Sequence, residues 1–389
     1  MRRRTLIVFI ILSLVSLTAD MVYEGARSVG GSYIEELGGP PVASATIASG
    51  DLIGYGLRFV SAVIATYLAS SSVFWGIIIF GYALQLFAMP TLAFAYSWSV
   101  ATALYLIERV GKGLRTPLRD VVLAEVTEDI GTGKGFGVHE LMDQAGAVAG
   151  PLLVAFMISL YGYRSAFLAL AIPGTISIAL VLTAFALYPK LKSLEASRPS
   201  ISFRGLGRKF YVYTLATILL SLGYVHWMNV SYFLKYWRVL GDADIALAYM
   251  VAMLTDAITA VPIGALYDKI KFKSLYLAPL SGLVSTILFI YTPTFMGAGE
   301  ATARTAAYVM ATLWGVTMGC FETIMRASIA DLLPPEKRAL GYGVYGLVYG
   351  ASWAIGSFIY VYLLLQPQPI PAIYATTTLL LSSILISRI

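Results

Sequence analysis

The sequence predicts an all-α integral membrane protein, and three observations carry that prediction. The composition is too poor in charge for water. Apolar runs long enough to cross a bilayer recur along the chain. Its two halves repeat one another at a fixed offset.

Of the 389 residues, 58% are hydrophobic and 12% charged, with a mean hydropathy of +0.78. A soluble domain carries about 25% charged residues, and a chain this depleted cannot cover its surface against water. A membrane-crossing helix needs about 20 mostly apolar residues. Runs of that kind lie at 5–30, 42–68, 73–93, 97–126, 134–160, 163–188, 209–236, 244–268, 273–293, 301–331, 337–365 and 370–388. Short polar or Pro/Gly-marked breaks separate them and leave no room for a soluble domain. The start resembles a signal peptide, with Arg2–Arg4 before an apolar stretch. The pattern runs on past Asp20, and the first run is needed for an even set of twelve.

The net charge of +6 does not point to nucleic acid. Basic residues gather at Arg2–Arg4, in the linker (Lys190, Lys192, Arg198, Arg204, Arg208, Lys209), at Lys269, Lys271 and Lys273, and at Lys337–Arg338. Alternating spans put all of these on one side. Basic connections face the cytoplasm, so both termini are expected there and the protein in the cell membrane. A single Cys320 and two histidines on different spans exclude a disulfide framework, a metal centre and a His-Glu-x-x-His site. No cofactor and no enzymatic nucleophile–base pair is expected. Filter loops or charge rings of a channel are also missing.

The longest polar stretch, 189–208, divides the chain into halves at 1–188 and 209–389, each of six spans. Sliding one half along the other matches Gly113 with Gly319, Ala124–Glu125 with Ala330–Asp331, Gly135-Phe136-Gly137-Val138 with Gly341-Tyr342-Gly343-Val344, and Gly150 with Gly356, every pair 206 residues apart. Asp51 and Asp256 match at 205. Such repeats build two-lobed carriers whose sites lie near the bilayer midplane.

Three motifs then resemble those of the major facilitator superfamily, and the resemblance spans nearly the whole chain. Arg109-Val110-Gly111-Lys112-Gly113 resembles its Arg-x-x-x-Gly motif on the fourth span, which implies proton or substrate coupling. Gly146-Ala147-Val148-Ala149-Gly150-Pro151 resembles its antiporter motif on the fifth. Gly264-Ala265-Leu266-Tyr267-Asp268-Lys269 resembles its cytoplasmic gating loop after the eighth. The counterpart loop, Ala65 to Ser72, lacks the acid and every basic residue. The wording around these motifs is similar to a prokaryotic branch without assigned substrates. The resemblance implies twelve helices in two pseudo-symmetric halves, a small-molecule solute moved by alternating access, and a monomer in the lipid bilayer.

Ionisable groups inside a bilayer are costly and mark function by default. Asp20 lies about 24 Å above Arg4 at 1.5 Å per residue, with Glu24 and Arg27 further along the same face. Offset by 206, Asp20 matches His226, with Asn229 one turn on. A carboxylate and an imidazole facing each other across a wet crevice can exchange protons, so this pair is the expected coupling site. The competing reading is a fixed hydrogen-bonded pair. Asp51 and Asp256 form the second set, with Arg58 two turns below Asp51 and Arg109, near the midplane, as the expected counter-ion. Lys112, Arg115 and Arg119 follow along one side. For Arg119 the reading is lipid or an acidic neighbour such as Asp120. His139, Asp143, Gly146 and Gly150 make one stripe on the fifth span, and the matching stripe reads Tyr345, Tyr349, Ser352 and Gly356. The glycines admit a close helix, and Pro151 permits a kink. Glu322 and Arg326 have the spacing of a helical salt bridge near the cytoplasmic gate. Tyr23, Tyr55, Trp227 and Tyr232 are candidates to line a cavity for aromatic or amphipathic solutes.

The charged set and antiporter motif together point to proton-coupled export of an amphipathic or drug-like compound. The alternative is a facilitator or proton symporter of a small anionic metabolite, because Arg58, Arg109 and Arg115 suit carboxylate or phosphate.

Overall fold

A computed structural model describes residues 2–68, 70–128, 131–191 and 206–389. Lys192, Arg198 and Arg204 of the linker lie outside them. The described residues hold helices and no strand. In chain order these are α1 (Arg2–Ser28), α2 (Gly30–Glu36), α3 (Pro41–Ala48), α4 (Gly50–Leu68), α5 (Ser71–Thr91), α6 (Trp98–Thr127), α7 (Thr132–Ala169), α8 (Ala171–Leu187), α9 (Arg208–Gly223), α10 (Trp227–Tyr236), α11 (Asp242–Ile270), α12 (Leu277–Phe295), α13 (Glu300–Glu322), α14 (Ile324–Leu332), α15 (Pro335–Leu363) and α16 (Pro369–Ile386).

In hydrocarbon every backbone polar group needs an internal partner, which helices provide. Seven helical stretches are apolar and long enough to cross a bilayer. Two of them, Lys134–Leu187 with 54 residues and Asp242–Ala298 with 57, each have the length for two crossings. The other three of the twelve spans are α4, α6 and α13. α6 is the most heavily charged, from Glu108 to Glu125.

Several spans are broken where the sequence reads one run. The seventh divides at Tyr224 to His226 into α9 and α10, and the tenth at Thr323 (φ −105°, ψ −83°) into α13 and α14. That second break falls between Glu322 and Arg326. The gating-loop residues Gly264, Asp268 and Lys269 lie in the last turns of α11, and the chain turns after them, at Lys271 (φ 50°). Gly162 (φ 75°, ψ −179°) kinks α7, a conformation open to glycine and strained for other residues.

The chain forms two compact units: residues 1–28 with 53–199, and residues 29–52 with 200–389. In the second unit, α2 and α3 pack on α10, and α3 also on α15. The repeat is visible in how each unit packs. A Cβ on Gly113 would come within 2.8 Å of Gly54 O, and one on Gly319 within 2.9 Å of Thr259 Oγ1 and 3.2 Å of Asp256 Oδ1. Gly135 meets Thr127, and Gly341 meets Leu333. Both partners are 206 residues apart, as are the glycines.

Candidate functional site

The first unit gathers three polar stripes. On α1 the stripe is Ser16, Asp20, Tyr23 and Arg27; on α6 it is Arg109, Lys112 and Arg119; on α7 it is His139, Asp143, Gly146 and Gly150. These spacings of three and four put each set on one helix face. The backbones meet because α7 presents glycine. A Cβ on Gly146 would lie 2.3 Å from Leu17 O, and one on Gly150 2.3 Å from Met21 O. Pro151 follows within the helix.

At the upper end, the Tyr23 hydroxyl accepts from Arg27 Nη1 and Arg109 Nη2. The Tyr23 ring carries Arg109, with the guanidinium carbon 4.4 Å from its centroid, and Lys112, with Nζ at 3.6 Å. Such cation–π contacts strengthen when desolvated, and Tyr23 is buried. Arg109 Nε lies 3.4 Å from Glu108 Oε2. Asp20, Glu24 and Glu108 are the carboxylates whose charge reaches Lys112. Tyr105 holds the helices in register by donating to Ala26 O at 2.8 Å.

Arg109 was expected to neutralise Asp51 or Asp256. Its described partners are Glu108 and Tyr23, because its long side chain folds back along α6 and onto the α1 ring. Arg27 is buried and donates to the Tyr23 hydroxyl. Arg58 stacks on Tyr55, 4.8 Å from the ring centroid. Arg115 is 1% exposed. It donates to Gln85 Oε1 at 2.6 Å and to Tyr82 OH at 3.0 Å, and covers the Tyr82 ring at 4.1 Å. Arg115 is thus a neutral-partnered cation inside the α5–α6 contact.

At the lower end, Ser16 Oγ donates to Asp143 Oδ1, lies 3.1 Å from His139 Nε2, and accepts from Arg119 Nη1 at 3.2 Å. Arg119 also donates through Nε (3.0 Å) and Nη2 (2.7 Å) to Asp120 Oδ1. Asp143 feels the charges of Asp20 and Arg119. From Ser16 to Arg27 the ladder extends about 16 Å along α1. Alternating cations and carboxylates are what make so many charges tolerable in a low dielectric.

In the second unit the geometry corrects the expected pairing of Asp20 with His226. His226 Nε2 lies 3.1 Å from Asp51 Oδ2. Its Nδ1 accepts from Met228 N at 3.0 Å and so caps α10. A ring whose Nδ1 accepts must carry its proton on Nε2. His226 is therefore a donor to Asp51 and a cap. Adding a second proton to the ring removes that cap. Asp51 is in the first turn of α4, where the helix dipole favours a carboxylate. Asn229 is fully buried; its Nδ2 donates to Ser357 O at 2.9 Å, and its Oδ1 accepts from Ser44 Oγ at 3.2 Å. Asp256 is buried on α11 against Gly319. Trp227 packs on Tyr249 and Trp314, and Tyr232 donates to Gly39 O. Trp227, Tyr232 and Tyr23 are all buried.

Sequence reasoning overlooked Ser16, Glu108, Gln85 and Tyr82. Glu108 had a signal, since it neighbours the motif arginine. Ser16 had none, because serines in apolar helices ordinarily bond their own backbone.

With this geometry in view, comparisons with known proteins add the lineage. The family model described as Major Facilitator Superfamily matches residues 8–357. An uncharacterised protein of Mycobacterium tuberculosis is 33% identical over 359 residues, covering 89% of this chain and 84% of that one. An uncharacterised MFS-type transporter of Methanocaldococcus jannaschii is 25% identical over 321 residues, covering 79% and 77%. Among solved structures, the nucleoside transporter NupG superposes with a TM-score of 0.74 at 11% identity, covering 98% of both chains. That likeness concerns the fold.

Proposed function

The chain belongs to the major facilitator superfamily, and on that premise we propose that it couples solute movement to protons through the charge ladder of its first unit. It is a multi-pass membrane transporter. The reading is that the six-span halves, 1–188 and 209–389, exchange access to a small solute from side to side. Both termini and the basic connections, as a single polypeptide acting alone, face the cytoplasm.

One observation carries the coupling. Asp20 stands on the α1 stripe against α7, where a Cβ on Gly146 would lie 3.1 Å from its Cβ, one turn from the Ser16 hydroxyl that Asp143 accepts from. Ionisable groups inside a bilayer are costly, so two carboxylates placed here are the candidates to carry the proton. Taking up or releasing that proton changes the balance around Lys112 and Arg109, which gives the halves a reason to move. The close α1–α7 packing at Gly146 and Gly150, with Pro151, favours export of an amphipathic or drug-like compound. The convergence of Arg27, Arg109 and Lys112 on Tyr23 favours the second reading, a carrier for an anionic metabolite, since protonating Asp20 leaves those cations in excess.

A thermal-shift screen of the detergent-purified protein against solute libraries identifies the ligand, because binding stabilises by mass action. Flux of that ligand in proteoliposomes under a pH gradient then tests coupling. Asp20→Asn and Arg109→Ala should each abolish the gradient-driven component while the protein stays folded. Unchanged flux in both variants would retire the proposal. Stabilisation by anions alone, with flux into the proton-rich-driven direction, selects the second reading.

A further inference from the structure

We infer that Ser16 is a proton relay joining His139 to Asp143. The inference rests on the proton-coupled reading and adds to it a residue and a path.

The hydroxyl's surroundings set it apart from its neighbours. Thr18 and Ser28 on the same helix bond backbone carbonyls at i−4 or i−3, the usual arrangement for such residues in a helix. Ser16 instead meets three ionisable side chains from two other helices. A hydroxyl has one proton to give and two lone pairs to accept with. Its proton goes to Asp143. His139 Nε2–H and Arg119 Nη1–H therefore fill its lone pairs, and all three bonds are satisfied with one orientation of the hydroxyl. Arg119 beside the oxygen favours loss of its proton.

His139 is 3% exposed and its Nδ1 is buried with no hydrogen-bond partner. That nitrogen is the open position in the chain. A proton taken up at Nδ1 makes imidazolium. The ring then passes its Nε2 proton to Ser16 Oγ as Ser16 passes its own to Asp143 Oδ1. The serine ends with one proton, His139 ends neutral with Nδ1–H, and Asp143 ends as a carboxylic acid. One proton has moved from ring to carboxyl. Charged neighbours facing this step are Asp20 from α1, Arg115, Arg119 and Asp120 from α6, and Glu140 from α7 itself.

The test needs no solute. The chain has two histidines, so ¹⁵N-imidazole spectra of the detergent-purified protein contain two rings, assigned with His139→Gln. The spectra report the His139 tautomer, and infrared difference spectra report the carboxylic acid of Asp143, assigned with Asp143→Asn. In the wild type the tautomer change from Nε2–H to Nδ1–H and the Asp143 band should share one midpoint, as strongly linked sites do. Ser16→Ala should separate the two midpoints by about one pH unit or more, and Ser16→Thr, which keeps the hydroxyl, should bring them back together. Coincident midpoints in Ser16→Ala overturn the relay and leave proton coupling standing. If neither Asp143 nor Asp20 changes protonation between about pH 5 and about pH 9 in any variant, the coupling reading falls with it.

Discussion

Gly31→Ala tests how the segment 29–52 is held in the second unit. A Cβ there would stand 1.9 Å from Met228 O, 2.5 Å from Ser231 Oγ and 2.6 Å from Tyr232 N. Carbon needs roughly 3.4 Å from such atoms, so α2 and α10 must part by about 1.5 Å. The Met228 oxygen is helix backbone and cannot rotate aside. The displacement strains three bonds that lie along the contact. Gly31 N donates to Ser231 Oγ at 3.0 Å, Tyr232 to Gly39 O at 2.8 Å, and Ser44 to Asn229 at 3.2 Å. Overpacking costs about 1–3 kcal/mol, and each weakened buried bond adds about 1 kcal/mol. The sum, about 4–6 kcal/mol, is a large share of the stability of a folded unit. Denaturant unfolding in detergent, followed by intrinsic tryptophan fluorescence, measures it. Gly76→Ala is the control, because a Cβ there meets nothing within 4 Å and a helix interior favours alanine by about 1 kcal/mol. A Gly31→Ala protein that unfolds within about 1 kcal/mol of Gly76→Ala would falsify the tight α2–α10 contact.

Two further outcomes follow from the same unit. Asp51→Asn should cost about 1 kcal/mol or less, because the amide oxygen still accepts from the His226 Nε2–H of a neutral ring; a loss of about 3 kcal/mol, the size of an uncompensated buried charge, measured by the same unfolding assay, would mean that the ring is charged. Lys235→Ala removes the cation that Glu35 (4.0 Å), Glu36 and Asp242 (2.9 Å) share. Glu36 is about half exposed, so screening limits the loss to about 1 kcal/mol or below. That loss should shrink between about 0.05 M and about 1 M salt, and a salt-independent loss refutes an electrostatic origin.

Much of the architecture is legible because its cause is local. Apolar run length is a property of neighbouring residues, and the 206-residue repeat is read by sliding the sequence along itself. The stripes of α1, α6 and α7 are legible for the same reason: a period of three and four is written in order along the chain. Partner choice is where sequence reasoning fails. His226 was matched with Asp20 through the repeat. The repeat relates backbone positions and carries no information on which side chain fills the gap. The break after Gly223 turns His226 into a helix cap, and residues 29–52 bring Asp51 to its Nε2. Neither fact has a local signature. Glu108 was overlooked for a related reason. Residues i and i+1 do not face each other on a helix, so Glu108 was passed over, yet an arginine is long enough to fold its Nε back to 3.4 Å from that neighbour.

The two units also put different chemistry on one scaffold. Shifted by 206 residues, Arg115 becomes Phe321, Lys112 becomes Met318, His139 becomes Tyr345 and Asp143 becomes Tyr349. The second unit turns those positions into an aromatic stack. Tyr345 and Tyr349 lie 6.1 Å apart at 12°, Phe321 stands 4.7 Å from Tyr349, and Trp353 stands 5.1 Å from it. Tyr345 closes the stack by donating to Phe321 O at 3.0 Å. Rings packed this way need no counter-ion and gain from burial and from edge and face geometry. The charges of the ladder have no counterpart at these positions. Protonating Asp20 or Asp143 there leaves Lys112, Arg109 and Arg119 with fewer carboxylates to answer them. On the proton-coupled reading proposed above, that imbalance is how one proton would bias a carrier built from two related halves.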